Sequence, residues 1–356
     1  MPSWKDKLNG DPVPWLLEND RSQPAIRYYA LRDILGRDEN DKEVKAAKVA
    51  IMASGPVPVI LTAQQPEGYW DKPGAGYGPK YRGTQWALVF MAQFGADGAD
   101  PRIRAGCEYL LSHAIADSGG LSWNGKTSGF EHCSAGNLGA ALIDFGWLED
   151  RRLHVAMEWL AQTITGEGVP DASNRDTSKR YYKPGNSAPL FVCSKNGNLP
   201  CAWGAIKAMI ALSKVPAEQR TRNMQVAIKQ GLDFLLSHDP AVADYPFGRG
   251  NKPSSSWFKL GYPIGYITDV LQNLEVLAAL GQAQNTRLAN ALKLVLSKQD
   301  EQGRWKLEYT YNGKTWVDTE KKGQPSKWVT LRALRVLKAA YPENAVTVAK
   351  KLGLKP

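Results

Sequence analysis

Three of the four cysteines carry the strongest chemical signal in the chain. Cys193 and Cys201 stand eight residues apart across a loop holding Lys195, Asn196, Gly197, Asn198 and Pro200, and Cys201 opens the small-residue run CAWGAIKAMIAL. Cys133 stands at the head of a second such run, EHCSAGNLGAAL. A thiol at a helix N-terminus meets unpaired N–H groups and the positive end of the helix dipole, which favour thiolate. Thiolate binds zinc or attacks an electrophile. The pattern therefore predicts a zinc site on Cys133, Cys193 and Cys201, with His132 or Asp269 as the fourth ligand, or water if the metal is catalytic. A thiol nucleophile and plain packing of small hydrophobes are the alternatives. Cys107, inside an amphipathic run, reads as core.

A second set lies in the loop after residue 63: Trp70, Asp71, Lys72, Tyr77, Lys80, Tyr81 and Arg82, with Trp86 just beyond. Trp203, Tyr262, Tyr266, Asp269, Lys327 and Trp328 hold matching positions before or at the start of later helices. Aromatic walls suit an apolar or cationic group, and Arg or Lys suits a carboxylate or phosphate. Asp71, Tyr81, His132 and Asp269 are the candidate acids and bases. Trp70, Tyr77, Arg82, Trp86, Trp203, Tyr262, Tyr266, Lys327 and Trp328 are the candidate substrate contacts. Each aromatic also has a packing role open to it, and Asp269 could simply favour a helix N-terminus.

The elements that must position these groups are helical. Apolar periodicity gives helices over 24–35, 41–53, 84–94, 101–113, 134–145, 150–162, 201–212, 217–237, 262–280, 285–297, 326–340 and 342–352. No alternating run requires a sheet. Less polar helices near residues 24, 84, 134, 201, 263 and 326 are each followed by a more amphipathic partner, an internal repeat of long period. Neither terminal pair looks like a polar cap, so the repeat predicts a closed ring rather than an open solenoid. The expected fold is all-α, an (α/α)6 toroid spanning 1–356 as one domain, with 1–23 as a lead-in. Inner-helix N-termini would then share one rim.

Residues 64–70, QQPEGYW, and 299–305, QDEQGRW, share the pattern Q-x-x-x-G-x-W, and 119–123, GGLSW, reads as a degenerate copy. On these motifs the chain resembles the squalene-hopene cyclase and protein prenyltransferase repeat superfamily. It also resembles bacterial toroids carrying strings such as YRGTQW, CAWGA and PSKWVTLRALRVLK. The resemblance implies the toroid and a structural role for the motif Gln and Trp, which tie adjacent repeats together. The chemistry departs from the superfamily. The acidic D-x-D-D cluster of triterpene cyclases is missing, and the Asp-x-Cys and His zinc set of prenyltransferases is not reproduced.

Composition narrows the function classes. The 356 residues are 43% hydrophobic and 22% charged, with a net charge of +10 spread along the chain. No arginine-rich arm or basic-aromatic module points to nucleic acid, and no apolar run approaches membrane-spanning length. Four cysteines are too few for a disulfide scaffold, so a reducing, cytoplasmic setting is expected. The leading expectation is an enzyme acting on a small, partly apolar, anionic molecule in a rim pocket, with zinc-assisted lyase or hydrolase chemistry. Metal-free isoprenoid chemistry, with Asp71 or Asp269 donating a proton, is one rival. A toroid that binds a ligand or peptide without turnover is the other.

Overall fold

The computed structural model describes residues 2–170, 173–176, 187–248, 250 and 253–343. Six helices are buried nearly all round: α1 (Pro24–Tyr29, continued by a π turn over Ala30–Ile34), α4 (Thr84–Gln93), α6 (His132–Asp144), α8 (Ala202–Lys214), α10 (Val270–Ala279) and α12 (Lys327–Ala340). A helix apolar on every side must be enclosed, and these six form the inner wall. Five helices bury one face only: α2 (Lys42–Ala53), α5 (Pro101–Ala114), α7 (Arg151–Thr165), α9 (Arg222–Leu236) and α11 (Ala289–Leu296). They make the outer layer, joined by the short α3 (Pro56–Thr62). The sixth outer helix expected at 342–352 lies, from 344 onward, outside the described residues.

Local chemistry sets the helix starts. Asp41, Asp100, Asp150 and Thr221 cap α2, α5, α7 and α9 by accepting from backbone N–H groups one turn in, each such cap contributing about 1 kcal/mol. Asp269 and Ser326 do the same for α10 and α12. Cys201 caps α8 with its sulfur, which accepts from Gly204 N at 3.5 Å. Helices α6 and α8 meet backbone to backbone, since a Cβ on Gly136 would lie 2.3 Å from the Lys207 carbonyl.

The ring closes through its ends. Trp328 Nε1 donates to Gln23 Oε1 at 2.7 Å, and Lys338 Nζ donates to the Asp33 and Ile34 carbonyls at 2.8 and 3.0 Å. Trp4 N donates to Tyr341 O at 2.8 Å. The fold is an all-α (α/α)6 toroid, as the repeat predicts.

The two Q-x-x-x-G-x-W motifs occupy equivalent places. Trp70 Nε1 donates to Ile60 O and Trp305 Nε1 to Val295 O, both at 2.7 Å, and their backbone N–H groups donate to Thr84 and Thr330 hydroxyls, both at 3.0 Å. Gln64 Nε2 reaches the next repeat at Arg102 O (2.9 Å), and Gln299 Nε2 reaches across the closure to Lys7 O (3.1 Å). The third copy is offset from its sequence reading. The bridge that joins Gln64 to Trp70 and Gln299 to Trp305 joins Ile115 to Leu121, so Leu121 and not Trp123 takes the tryptophan position. Gly68, Gly119 and Gly303 supply the positive φ (97°, 89°, 72°) that turns the chain there.

Three expectations are corrected. Helix α10 starts at Val270 rather than 262, because Pro263 and Gly265 do not sustain a helix and Asp269 caps one. Short strands are present: β1 (Ser187–Ala188), β2 (Val192–Cys193) and β3 (Leu199–Pro200) form an antiparallel ribbon, and β4 (Trp305–Lys306) pairs with β5 (Pro325–Ser326). One stretch, Lys42–Thr62, has the length and hydropathy of a membrane span. It is interrupted at Ser54 and Gly55 (φ 73°), leaving helices of 12 and 7 residues, each shorter than the roughly 20 a span requires.

Between Gly261 and Ile267 the chain drops inside the ring. Gln93, on α4, uses both ends of its amide on this segment, donating to Ile264 O (2.7 Å) and accepting from Ile264 N (2.8 Å). Tyr262 OH donates to Gln93 O (3.0 Å), and Arg332 Nη1 donates to Gly261 O (2.6 Å). The segment forms a partition across the hole of the toroid. Tyr266 faces one side of it, and Tyr262 and Ile264 face the other.

Candidate functional site

The partition separates two regions with different chemistry. The rim, at the inner-helix N-termini, gathers many of the residues expected there. Tyr81 packs on Trp86 (ring centroids 5.0 Å) and Tyr311 (4.3 Å), Tyr77 on Trp86 (5.4 Å) and Trp123 (5.7 Å), and Trp203 on Tyr266 (5.6 Å). Lys80 Nζ lies 4.3 Å from the Tyr266 ring centre, and Arg82 stacks on Trp316 at 4.1 Å. Burial pushes the Tyr77 and Tyr266 phenols up and the Tyr81 phenol to about 12, so all three stay protonated at neutral pH. Trp86 Nε1 is spent on Tyr77 O at 2.9 Å. These rings fill the rim. The free space among Tyr77, Trp86, Cys133, Asn137 and Tyr266 is about 20 Å3, room for a water and no more.

The three thiols share one sector of this rim. Cys193 and Cys201 hydrogen-bond to each other, and Cys133 lies close enough to influence both. The Cys201 thiol and the backbone N–H groups of Lys195 and Asn196 hold Cys193 down to about 6 against the effect of burial. Its partner Cys201 is pushed up, first by that hydrogen bond and then by burial. Burial, then the neighbouring Glu131, raises Cys133, whose sulfur lies 3.7 Å from Glu131 Oε2. Glu131 is buried and ion-paired with Lys195, and sequence reasoning missed both. Among the described residues no group of three His, Cys, Asp or Glu is arranged to hold a metal ion. Zinc gains no support from this arrangement.

Other expected site residues fall elsewhere. His132 points away from Cys133: its Nε2 lies 3.2 Å from Thr163 Oγ1 on α7, and its ring is wedged between Phe130 and Phe191. Burial lowers its pKa to about 3, so it is a neutral core residue without catalytic access. Asp269 is equally committed, both its oxygens accepting, from Gly261 N (3.0 Å), Gln272 N (2.7 Å) and Arg332 (3.0 Å twice). Trp70 is fully buried as a strut between repeats and lines neither the rim void nor the large cavity. Lys327 faces the lead-in, bound to Glu18 (2.9 Å) and Asp20 (3.2 Å). Asp71, at φ 64°, lies 3.9 Å from Arg82 on the outer part of the rim.

The large cavity lies on the other side of the partition, at the inner-helix C-termini, with a volume of about 950 Å3. Tyr262 and Trp328, stacked at 4.1 Å and 11°, line it with Tyr29, Gln93, Asn137 and Gln272. Exposed Lys48, Asp97 and Lys214 mark its mouth. Its charged residues form two clusters, beside an Asp144–Lys214 ion pair (2.6 Å) at the mouth. In one, Arg32 and Arg335 share the single carboxylate of Asp33, with Arg335 Nε at 2.7 Å. Burial works against the Asp33 carboxylate, but Arg335 and Arg32 still hold it below its ordinary range. In the other, Arg332 donates to two carboxylates, Asp269 and Glu275, the latter at 2.6 Å. Arg32 also meets Glu39 at 3.6 Å outside the chamber, so two guanidiniums and one carboxylate of the first cluster face the cavity; in the second, Arg332 is shared by two carboxylates, of which Glu275 alone lines the cavity.

Behind the second cluster lies Lys207, fully buried, its Nζ donating to Gln272 Oε1 at 2.7 Å. Burial lowers its pKa to about 7. Lys207, Gln272, Glu275, Arg332 and Arg335 were missed by sequence reasoning. The available signal was their presence as polar or charged residues on helices otherwise apolar all round.

No family model matches the chain, and no curated protein does. Among solved structures it is similar to a type II terpene cyclase, MstE, from Scytonema, at 15% identity over 91% of this chain and 89% of that one, with a TM-score of 0.44. It is also similar to an unsaturated glucuronyl hydrolase specific for heparin, at 12% identity over 95% and 88%, TM-score 0.49. A third is a protein from Actinoplanes, at 16% over 89% and 90%, TM-score 0.34. Likeness of this degree leaves the chemistry to be argued from this chain's own residues.

Proposed function

We propose that the chain is an enzyme acting on a small, partly apolar, anionic molecule held in the 950 Å3 chamber rather than at the rim. The observation that carries this reading is the polarised chamber wall. The Arg32–Asp33–Arg335 cluster, with two guanidiniums and one carboxylate facing the chamber, anchors the anionic group, because an Arg fork matches carboxylate or phosphate geometry. The stacked Tyr262–Trp328 pair and the alanines of α6 take the apolar part. Glu275, the chamber-lining carboxylate of the other cluster, is the proton acceptor, positioned by Arg332. Tyr29, its phenol raised to about 12 by burial, stays protonated as a donor beside Arg335, 4.6 Å from its ring. Proton abstraction with loss or hydrolysis of a neighbouring group, lyase or hydrolase chemistry, fits one base opposite one anion anchor.

Thermal-shift screening of small carboxylates, phosphate esters and neutral analogues against the full chain tests the site. Anions should stabilise the wild type and leave an Ala140→Trp variant, its chamber filled, unshifted. With the best ligand class as substrate, Glu275→Gln should lower kcat by about 100-fold or more at unchanged KM. Neutral compounds binding as well as anions, or binding unaffected by Ala140→Trp, would remove the chamber reading.

A further inference from the structure

We propose that Gln272 is the oxygen-binding donor of the chamber, held in that orientation by Lys207, and that the substrate is a keto acid whose carbonyl it binds beside Glu275. The assignment rests on the chamber reading above and narrows it to a substrate class. Gln272 lies in the first turn of α10, where the chamber meets the partition, and its backbone N–H is fixed on Asp269 Oδ1 at 2.7 Å. Glu275 follows three residues later, one turn along the same face, and both residues line the chamber. The side-chain amide is oriented by chemistry. Lys207 Nζ donates to Gln272 Oε1 at 2.7 Å, and an ammonium has no lone pair with which to accept from Nε2 instead. The Nε2 hydrogens are therefore turned away from Lys207. Among the described residues Nε2 meets no acceptor in the protein, and it is not sealed from the cavity.

The other two amides of the chamber wall are already engaged. Gln93 uses both ends on Ile264, and Asn137 Nδ2 donates to Gly265 O at 3.4 Å. Lys207 itself is an expensive residue to keep. It is fully buried on α8, and its bond to Gln272 is to a neutral amide rather than to a carboxylate that would offset the lost hydration. Its return is a fixed donor one turn from a base. A carboxylate removes a proton from carbon where an adjacent carbonyl takes up the electron pair. Glu275 takes the proton from the carbon beside the carbonyl, the C–H pair becomes a carbon–carbon double bond, and the carbonyl pair moves onto oxygen. Gln272 Nε2 donates to that oxygen as its charge grows. When the carbonyl re-forms, the shifted pair makes a double bond to the next carbon, whose leaving group departs with its bonding electrons and receives the proton from Glu275. Gln272 touches the reacting oxygen, and Lys207 is its positioning residue.

The test is titration calorimetry of the full chain with hexanoate and with its keto derivatives, the carbonyl moved to each position along the chain in turn. It is run at about pH 6, where Lys207, its pKa lowered to about 7 by burial, is an ammonium and only donates. The wild type should bind one of the keto acids about ten-fold more tightly than hexanoate. Gln272→Leu should erase that preference by weakening the keto acid alone, with hexanoate unchanged. Lys207→Met should erase most of it, and adding it to Gln272→Leu should cost nothing further, since the two act as a unit. A purely structural Lys207 would weaken both ligands alike. Equal binding of hexanoate and every keto acid, or a preference that survives Gln272→Leu, overturns the assignment while the chamber reading stands, provided Ala140→Trp blocks both ligands. A preference that survives Lys207→Met overturns the positioning role. Binding of none of these acids, or binding that survives Ala140→Trp, removes the chamber reading and the assignment with it. The wild-type comparison requires no variant to fold.

Discussion

The two faces of the partition are built from the same six helices and end up opposite in character. At the N-termini, Tyr77, Tyr81, Trp86, Tyr266 and Tyr311 fill the ring, and little more than a water's volume is left. At the C-termini the inner helices carry Ala92, Ala140, Ala141, Ala278 and Ala339, and about 950 Å3 stays open. Symmetry of the repeat does not decide where a ligand goes. Side-chain volume at each end does, together with the segment that crosses between them. Aromatic richness, the usual mark of a binding wall, here marks the closed face.

Arg332 touches both faces, holding Asp269 and Gly261 on one side and Glu275 on the other. Arg332→Met should therefore abolish the distinction, at a cost of about 3–5 kcal/mol, because it strands two carboxylates of which Asp269 is fully buried. Urea unfolding followed by tryptophan fluorescence measures it.

A change confined to the chamber should spare the rim. Arg335→Leu leaves Asp33 with Arg32 as its partner, and should weaken anion binding about ten- to hundred-fold by calorimetry. Rim tyrosine packing, read by near-UV circular dichroism, should not change.

Lys207 supplies a pH signature from between the two. Its pKa is about 7 in the fold, against an ordinary 10.5. The unfolded chain thus binds one more proton between these values, and stability should rise with pH across this window by up to one proton's slope. Below pH 7 the contribution from this residue levels off. Lys207→Met should flatten the rise, measured as urea midpoints from pH 7 to 10.

The smallest effect belongs to the rim. Trp86→Phe loses the bond to Tyr77 O and should cost about 1 kcal/mol with chamber affinity unchanged. A fall in chamber affinity would show that the partition couples the two faces.

The architecture was legible because its determinants are local. Aspartates one residue ahead of α2, α5 and α7, apolar stripes on the outer helices, and two matching Q-x-x-x-G-x-W turns each act within a few residues of chain. The thiol sector was legible for the same reason, since Cys133 and Cys201 sit at adjacent inner-helix starts. The chamber was not. Its walls come from Arg32, Glu275 and Arg335 on three helices, and nothing local distinguishes their end of the ring. His132 was misjudged by helical geometry: neighbours in sequence point about 100° apart, so Cys133 faces the rim and His132 faces α7. Lys327 was misjudged because its partners, Glu18 and Asp20, arrive from the far end of the chain.

The double grip of Gln93 on Ile264 also bears on how the molecule is assembled. These residues are 171 positions apart, so the contact closes a loop of nearly half the chain. Contacts that distant carry a large closure entropy and slow folding. Once formed, the segment is enclosed by the closure of α12 on α1 and by Arg332 on Gly261 O. The last repeat is in this sense the lock of the ring, holding both its first helix and the segment that crosses its hole.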